Sequence, residues 1–149
     1  SLKGGLDDPT IQKMLMYSAV HDSDPERRAH AIKLLSHLPI SKAASKYFAE
    51  TFGAVLLRDT TLSNRELALD VLKDFKPTEK VLEVFKTAAL NDPAPAIRAE
   101  SIAYLGNCNQ PGNNVEQVLA AVFVRDSSQT VKTAAKNALN SLKQQTKQN

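Results

Sequence analysis

The sequence predicts an all-α protein, and three observations lead to this fold class. Apolar residues recur at three- and four-residue spacing along most of the chain, as one face of a helix requires. Ala and Leu dominate a hydrophobic content of 42%, whereas aromatic residues make up only 5%, and both Ala and Leu favour helix. Five glycines are too few for the turns of a many-stranded β fold. A length of 149 residues suits one domain, 1–149.

Turn and capping residues divide the chain into eight predicted helices. Asp8 and Asp24 each precede a proline, which is typical of an N-cap followed by Pro at the first helical position. Ser63 and Glu66 have the spacing of a capping box. The prolines at 77 and 95 and the Asn pair at 113–114 mark further starts. The helices are expected near residues 9–20, 25–37, 42–57, 64–75, 79–90, 95–106, 114–124 and 128–144.

The first helix of each successive pair carries an apolar stripe, which we expect to face the core. The four predicted stripes are Ile11, Met14, Leu15 and Ser18; Ala44, Tyr47, Phe48, Phe52, Val55 and Leu56; Val81, Val84, Phe85 and Ala88; and Val115, Val118, Leu119 and Val122.

The second helices belong to four segments that repeat one pattern, at spacings of 33 to 37 residues. Each segment has an Asp at its second position, a basic residue six residues later, a small residue nine later, Leu thirteen later and an apolar residue sixteen later. The last three positions fall on one helical face. In chain order the five sets are Asp22, Asp59, Asp92 and Asp126; Arg28, Arg65, Arg98 and Lys132; Ala31, Ala68, Ser101 and Ala135; Leu35, Leu72, Leu105 and Leu139; and Leu38, Phe75, Cys108 and Leu142.

This pattern resembles the HEAT-repeat family, most closely as D-x4-I-R-x2-S-x3-L at 92–105 and D-x4-V-K-x2-A-x3-L at 126–139. The resemblance implies an armadillo-like α-α superhelix, or solenoid, of four helix pairs at about 9–38, 42–75, 79–108 and 114–144. It also implies that the second helices line the concave side and that Asp and Arg or Lys of successive repeats bond in a ladder. Arg27 and Asn64 stand where an aliphatic residue is usual, so the first two repeats are expected to pack differently or to cap the stack.

Residues that could carry chemistry do not combine into a site. His30 and His37 are two helical turns apart, about 10 Å, which is too far to share one ion. Glu26 with His30 supplies only two of the three or four ligands that zinc needs. Cys108 should be a buried, inert thiol, unless the polar turn exposes it. The Asp–Arg pairs recur in every repeat, so they are interpreted as structural. We expect no enzyme, no metal and no cofactor.

Charge and cysteine usage bear on the partner class and compartment. Residues 125–149 contain five basic residues and one acidic residue, Asp126. Residues 1–124 contain 14 basic and 15 acidic residues. Nucleic-acid binding by a DNA glycosylase-like helical architecture is the alternative function, since a pI of about 9.0 permits contact with phosphates; the near-neutral first 124 residues count against it. Assistance in covalent chromophore attachment, known among HEAT-like subunits, is a third option that no residue favours. The single Cys favours the cytoplasm. Because the sequence begins with Ser, we expect a processed chain or part of a longer one. No membrane span is expected.

The favoured function is a non-catalytic protein-interaction scaffold that uses the concave face. The second helix of the third pair, near residues 95–106, carries a strip of small residues. The second helices of the first two pairs carry charged residues at the equivalent positions. The candidate partner-binding residues are Ala96, Ala99, Ala103, Gly106, Lys33 and Asp70. Alanine as a plain helix former is the alternative explanation of the strip. The polar stretch 106–114 is either a simple connection or a second binding loop.

Overall fold

A computed structural model describes residues 5–40, 42–108 and 113–148, and within them the chain is all-helical, without strands. The all-α prediction is thus confirmed. Most helices begin and end within two residues of the predicted bounds, while α4 ends three residues earlier and α8 continues to Gln148. The helices of the described residues are α1 Pro9–His21, α2 Pro25–His37, α3 Lys42–Arg58, α4 Leu62–Leu72, α5 Glu79–Asn91, α6 Pro95–Asn107, α7 Val115–Arg125 and α8 Gln129–Gln148.

The first two helices begin as their sequences predict. Asp8 accepts a hydrogen bond from the N–H of Thr10 at 2.8 Å. Asp24 accepts one from the N–H of Glu26 at 2.9 Å, and a proline follows each aspartate at the first helical position. Each carboxylate satisfies a backbone donor that has no partner within the helix.

The predicted capping box at the start of α4 is wrong. Thr61 is the N-cap residue, and Ser63 lies inside the first turn of the helix. The reason is the preceding turn, in which the Asp59 carboxylate accepts the N–H of Thr61 at 2.8 Å. This bond orders the chain before Ser63 is reached, so the helix begins at Leu62.

The helices form two compact units, Ser1–Phe75 and Lys76–Asn149. Each unit contains two helix pairs that pack by the same scheme. In the first unit α1 contacts α2, α3 contacts α4, α1 contacts α3 and α2 contacts α4; in the second unit α5 to α8 repeat these contacts in the same order. The largest side chains buried in the first unit are Ile32, Leu35, Phe52, Leu56, Leu69 and Leu72, and in the second Leu82, Phe85, Ile97, Ile102, Leu105 and Leu119.

The apolar stripe predicted for α1 is wrong by one residue in register. Gln12, Met16 and Ala19 are buried, whereas Met14 is 62% exposed. Gln12 can be buried because its side-chain amide donates to the carbonyl oxygens of Leu6 at 2.9 Å and Pro39 at 3.3 Å. Most other predicted first-helix stripe residues are buried or half-buried; Tyr47 is exposed, and the side chain of Ala44 lies outside those described.

None of the described helices combines the length and the apolar character that crossing a membrane demands.

Candidate functional site

The four turns that follow the first helices share one hydrogen-bond pattern. Each turn aspartate accepts the backbone N–H two residues later, at 2.8 to 2.9 Å. In three of the turns the arginine six residues after the aspartate donates Nη1 to the aspartate carbonyl, at 2.8 Å for Arg28, 3.0 Å for Arg65 and 2.8 Å for Arg98. The repeated Asp and Arg are therefore the residues that build the turn.

Two of these arginines also reach the aspartate of the following helix pair within their own unit. Arg28 Nε lies 2.8 Å from Asp59 Oδ2, and its Nη2 lies 3.3 Å from Oδ1. The corresponding distances from Arg98 to Asp126 are 2.8 and 3.1 Å. Both pairs are bidentate, and the side chains of the two aspartates are 2% and 8% exposed. Within each unit, these bonds join the turns of its two helix pairs.

The same bonds govern the charge of the two carboxylates. Burial by itself raises the pKa of Asp59, but Arg28 and the N–H of Thr61 outweigh burial and hold that pKa below its ordinary value of 3.8. The hydrogen bond from Arg98 is the main cause that lowers the pKa of Asp126. Both carboxylates are therefore ionised near neutral pH, with their oxygens occupied by donors that belong to the turns.

Other candidate chemical groups are dispersed. All three histidines are exposed. Cys108 is buried, also as predicted, and its thiol donates to the carbonyl of Leu105 at 3.0 Å. Tyr104 stacks on Phe85 with 3.8 Å between ring centroids, and burial raises the pKa of Tyr104 to about 12. Among the residues that the structure describes, no three His, Cys, Asp or Glu side chains come together in a group that could hold a metal ion.

The predicted strip on α6 is only partly open. Ala96 and Ala103 are exposed, and Ala99 is half-buried. Gly106 is buried, since a Cβ atom at this position would lie 2.7 Å from the Cβ of Ala138 on α8. Its assignment to the open strip is therefore wrong, because this glycine is the point at which α6 and α8 approach each other.

The two charged candidates lie at the same repeat position as Ala103, eleven residues after the turn aspartate. Lys33 on α2 and Asp70 on α4 are both exposed, as is Asn137 on α8. Asp70 accepts a hydrogen bond from Lys73 Nζ at 3.1 Å. The position eleven residues after the turn aspartate is therefore exposed to solvent on α2, α4, α6 and α8.

A groove of about 490 Å³ lies between the C-terminal ends of α2 and α4 in the first unit. Its lining includes the rings of Phe48 and Phe75, which stack with 5.5 Å between centroids. Ser36 contributes from α2, and Val71 and Asp70 contribute from α4. The groove thus combines an aromatic lining with a charged candidate residue.

A second groove of about 500 Å³ lies between α1 and α3, and sequence reasoning missed it. Tyr17 is 68% exposed and Tyr47 is 39% exposed, and both line it with Lys13 and Arg58. The sequence stripe placed Tyr47 in the core. Tyr17 lies three residues after Met14 and outside every predicted stripe. A large aromatic residue away from the predicted core face was the signal in the sequence that could have indicated this groove.

The polar stretch 106–114 is described only at its two ends, and residues 109–112 lie outside the described part of the chain. Near its far end the carbonyl of Asn113 accepts a hydrogen bond from the buried Lys86 Nζ at 2.7 Å. Asn114 then adopts a left-handed conformation, with φ of 59°, immediately before α7. The end of the connection is thus tied to α5.

No protein-family model, curated protein or solved structure matches this chain.

Proposed function

We propose that this protein is a non-catalytic protein-interaction module, a HEAT-like solenoid that binds its partner on the face formed by the second helices. Four helix pairs with the same turn chemistry support the repeat assignment. Because the conspicuous polar residues of the motif are bonded within the turns, they do not suggest a reaction. The surface between the second helices is therefore the proposed binding surface for a partner protein.

The observation that carries this proposal is the groove between α2 and α4. Its volume of about 490 Å³ falls within the range of sites that accept an apolar side chain or a small ligand. Phe48 and Phe75 offer an apolar lining, and Asp70 offers a charge that can orient a partner. A cleft of this kind between repeated helices suits a protruding side chain of another protein.

The test uses a matched pair of charge reversals on one helix. Asp70→Arg changes a residue that lines the groove, whereas Glu66→Arg makes a comparable change one turn earlier, at an exposed residue outside the lining. Partners recovered from lysate of the source organism by the unmodified protein are identified by mass spectrometry and then measured against both variants. Loss of binding in Asp70→Arg alone supports the groove, and equal binding by both contradicts it.

Two further measurements separate the remaining possibilities. Ala103→Arg asks whether the exposed strip on α6 takes part, since an exposed alanine should tolerate Arg without loss of stability. Salt-dependent retention on a phosphate-rich matrix tests for nucleic-acid binding. If such retention is strong and sequence-dependent DNA binding survives removal of residues 143–149, the nucleic-acid alternative replaces the present proposal.

A further inference from the structure

We propose that the groove between α1 and α3 is a second docking site, whose partner is an acidic peptide segment that carries an apolar or aromatic side chain. This surface belongs to the first helices of the first unit. It is therefore separate from the second-helix face, and neither proposal requires the other.

The apolar residues around this groove are unusually exposed. Tyr17 on α1 and Tyr47 on the facing helix α3 line the groove and are 68% and 39% exposed; Met14, which is 62% exposed, lies three residues before Tyr17 and outside the lining. Residues three apart share one helical face. Tyrosine and methionine are enriched in protein interfaces, where their large side chains contribute more than their number suggests.

The interior of the groove suits an apolar group. Buried Met16 lines it together with Thr51 and Ala54. The Thr51 hydroxyl donates to the carbonyl of Tyr47, one turn earlier in its own helix, at 2.8 Å, so its donor is already used. The volume is about 500 Å³, enough for one or two large side chains. An apolar anchor would therefore be accepted without leaving a polar group unpaired.

The rim of the groove is basic. Lys13 Nζ and Lys46 Nζ lie 5.5 and 4.8 Å from the centroid of the Tyr47 ring, within the range of a cation–π contact. Arg58 lines the groove, and Glu50 is the only carboxylate among its described lining residues. Within the described residues none of these three cations has an ion-pair partner.

These features together select the class of partner. Cations held beside an aromatic ring favour a carboxylate, and the apolar interior favours a hydrophobic side chain next to it. Nucleic acid offers the same negative charge to these cations but no aliphatic side chain for the interior that Met16 and Ala54 line. A segment in which acidic residues flank a Leu or Phe satisfies both parts of the groove.

The experiment measures binding of a fluorescently labelled synthetic peptide, with a central Phe flanked by Glu on both sides, to the full chain. We expect saturable binding that weakens roughly tenfold when Phe is replaced by Ala and when the Glu residues are replaced by Gln. The double variant Lys13→Gln with Lys46→Gln should weaken binding roughly fivefold, and Tyr17→Ala roughly tenfold. The matched control removes two exposed lysines of α8, by Lys136→Gln with Lys143→Gln.

Unchanged binding in the α8 control, together with these losses, supports the site. No saturable binding below about 1 mM overturns it. Equal weakening by the groove and α8 variants also overturns it, because the attraction would then be diffuse. Tighter binding of a single-stranded DNA oligonucleotide, which displaces the peptide, assigns the groove to nucleic acid instead. Circular dichroism melts verify that each variant is folded, and since the probe is a defined peptide, failure here leaves the second-helix proposal untouched.

Discussion

The two units differ most where their second helices meet. In the second unit Gly106 of α6 lies against Ala138 of α8, so close that a Cβ on the glycine would be 2.7 Å from the alanine Cβ. In the first unit the same repeat positions are occupied by Ser36 and Val71, and both line the groove between α2 and α4. The smaller pair, Gly106 and Ala138, thus accompanies a close contact between helices, and the larger pair, Ser36 and Val71, accompanies an open groove.

The turns offer a second comparison, since their bidentate pairs are alike but their surroundings are not. Asn64, which is only 1% exposed, donates its amide to Asp59 Oδ2 at 3.3 Å and to the carbonyl of Pro25 at 3.2 Å. The equivalent residue of the second unit is Val131, which is fully buried. Asn64, which stands where the second unit has Val131, therefore adds bonds to the turn.

The largest expected effect is from removing a buried turn carboxylate. Asp126→Ala leaves the largely buried Arg98 guanidinium with backbone carbonyls as its only acceptors, and we expect the free energy of unfolding to fall by about 3 kcal/mol. Asp59→Ala should lose more, because the Asn64 amide also loses an acceptor. Chemical denaturation measures both, with the exposed Asp74→Ala as control. Equal losses in the two variants would show that Asn64 adds nothing to the first turn.

Acid should destabilise both units through these same carboxylates. Their pKa values are lowered in the folded protein. Their contribution is therefore complete above the unfolded value near 3.8 and is lost as pH falls through the folded values. Between about pH 5 and pH 2 the free energy of unfolding should fall less steeply in Asp59→Asn with Asp126→Asn than in the unmodified protein. Parallel curves in urea titrations at each pH would contradict this.

Transplanting the serine of the first unit into the second should push its helices apart. Gly106→Ser places a side chain where α8 already lies, and overpacking of this kind costs about 1–3 kcal/mol. The control Ser36→Ala changes an exposed position and should alter stability by less than about 0.5 kcal/mol. Thermal unfolding measures both. A melting temperature that stays constant in Gly106→Ser would mean that α6 and α8 separate without loss.

Exchanging the residues that distinguish the two turns should have a smaller effect. Asn64→Val removes two amide hydrogen bonds but introduces an apolar residue of similar size, so we expect a loss of about 1 kcal/mol. The reverse change, Val131→Asn, places an amide near Asp126, whose carboxylate could accept from it. If Val131→Asn destabilises by several times more than Asn64→Val, the two turns are not interchangeable.

The smallest effect should be a gain. Ser101 is buried, and its hydroxyl has no hydrogen-bond partner among the described residues. The other three repeats have alanine at this position. Ser101→Ala should raise the free energy of unfolding by up to about 1 kcal/mol, because an unpaired polar group leaves the core. A loss of stability in the same denaturation assay would reveal a partner that binds this hydroxyl.

The sequence by itself determined the features that depend on neighbours along the chain. Helical periodicity predicted the fold class, and the Asp8 and Asp24 caps formed as expected. Each of these rests on residues a few positions apart, whose geometry the local backbone sets.

Only the tertiary structure decided the features that depend on distance between helices. Burial of Gln12 requires the carbonyl of Pro39, and burial of Gly106 requires Ala138. The groove that exposes Tyr47 likewise forms only when α1 and α3 are placed side by side. A helix stripe tells which residues can share a face, but the spacing of the packed partner decides which of them are covered.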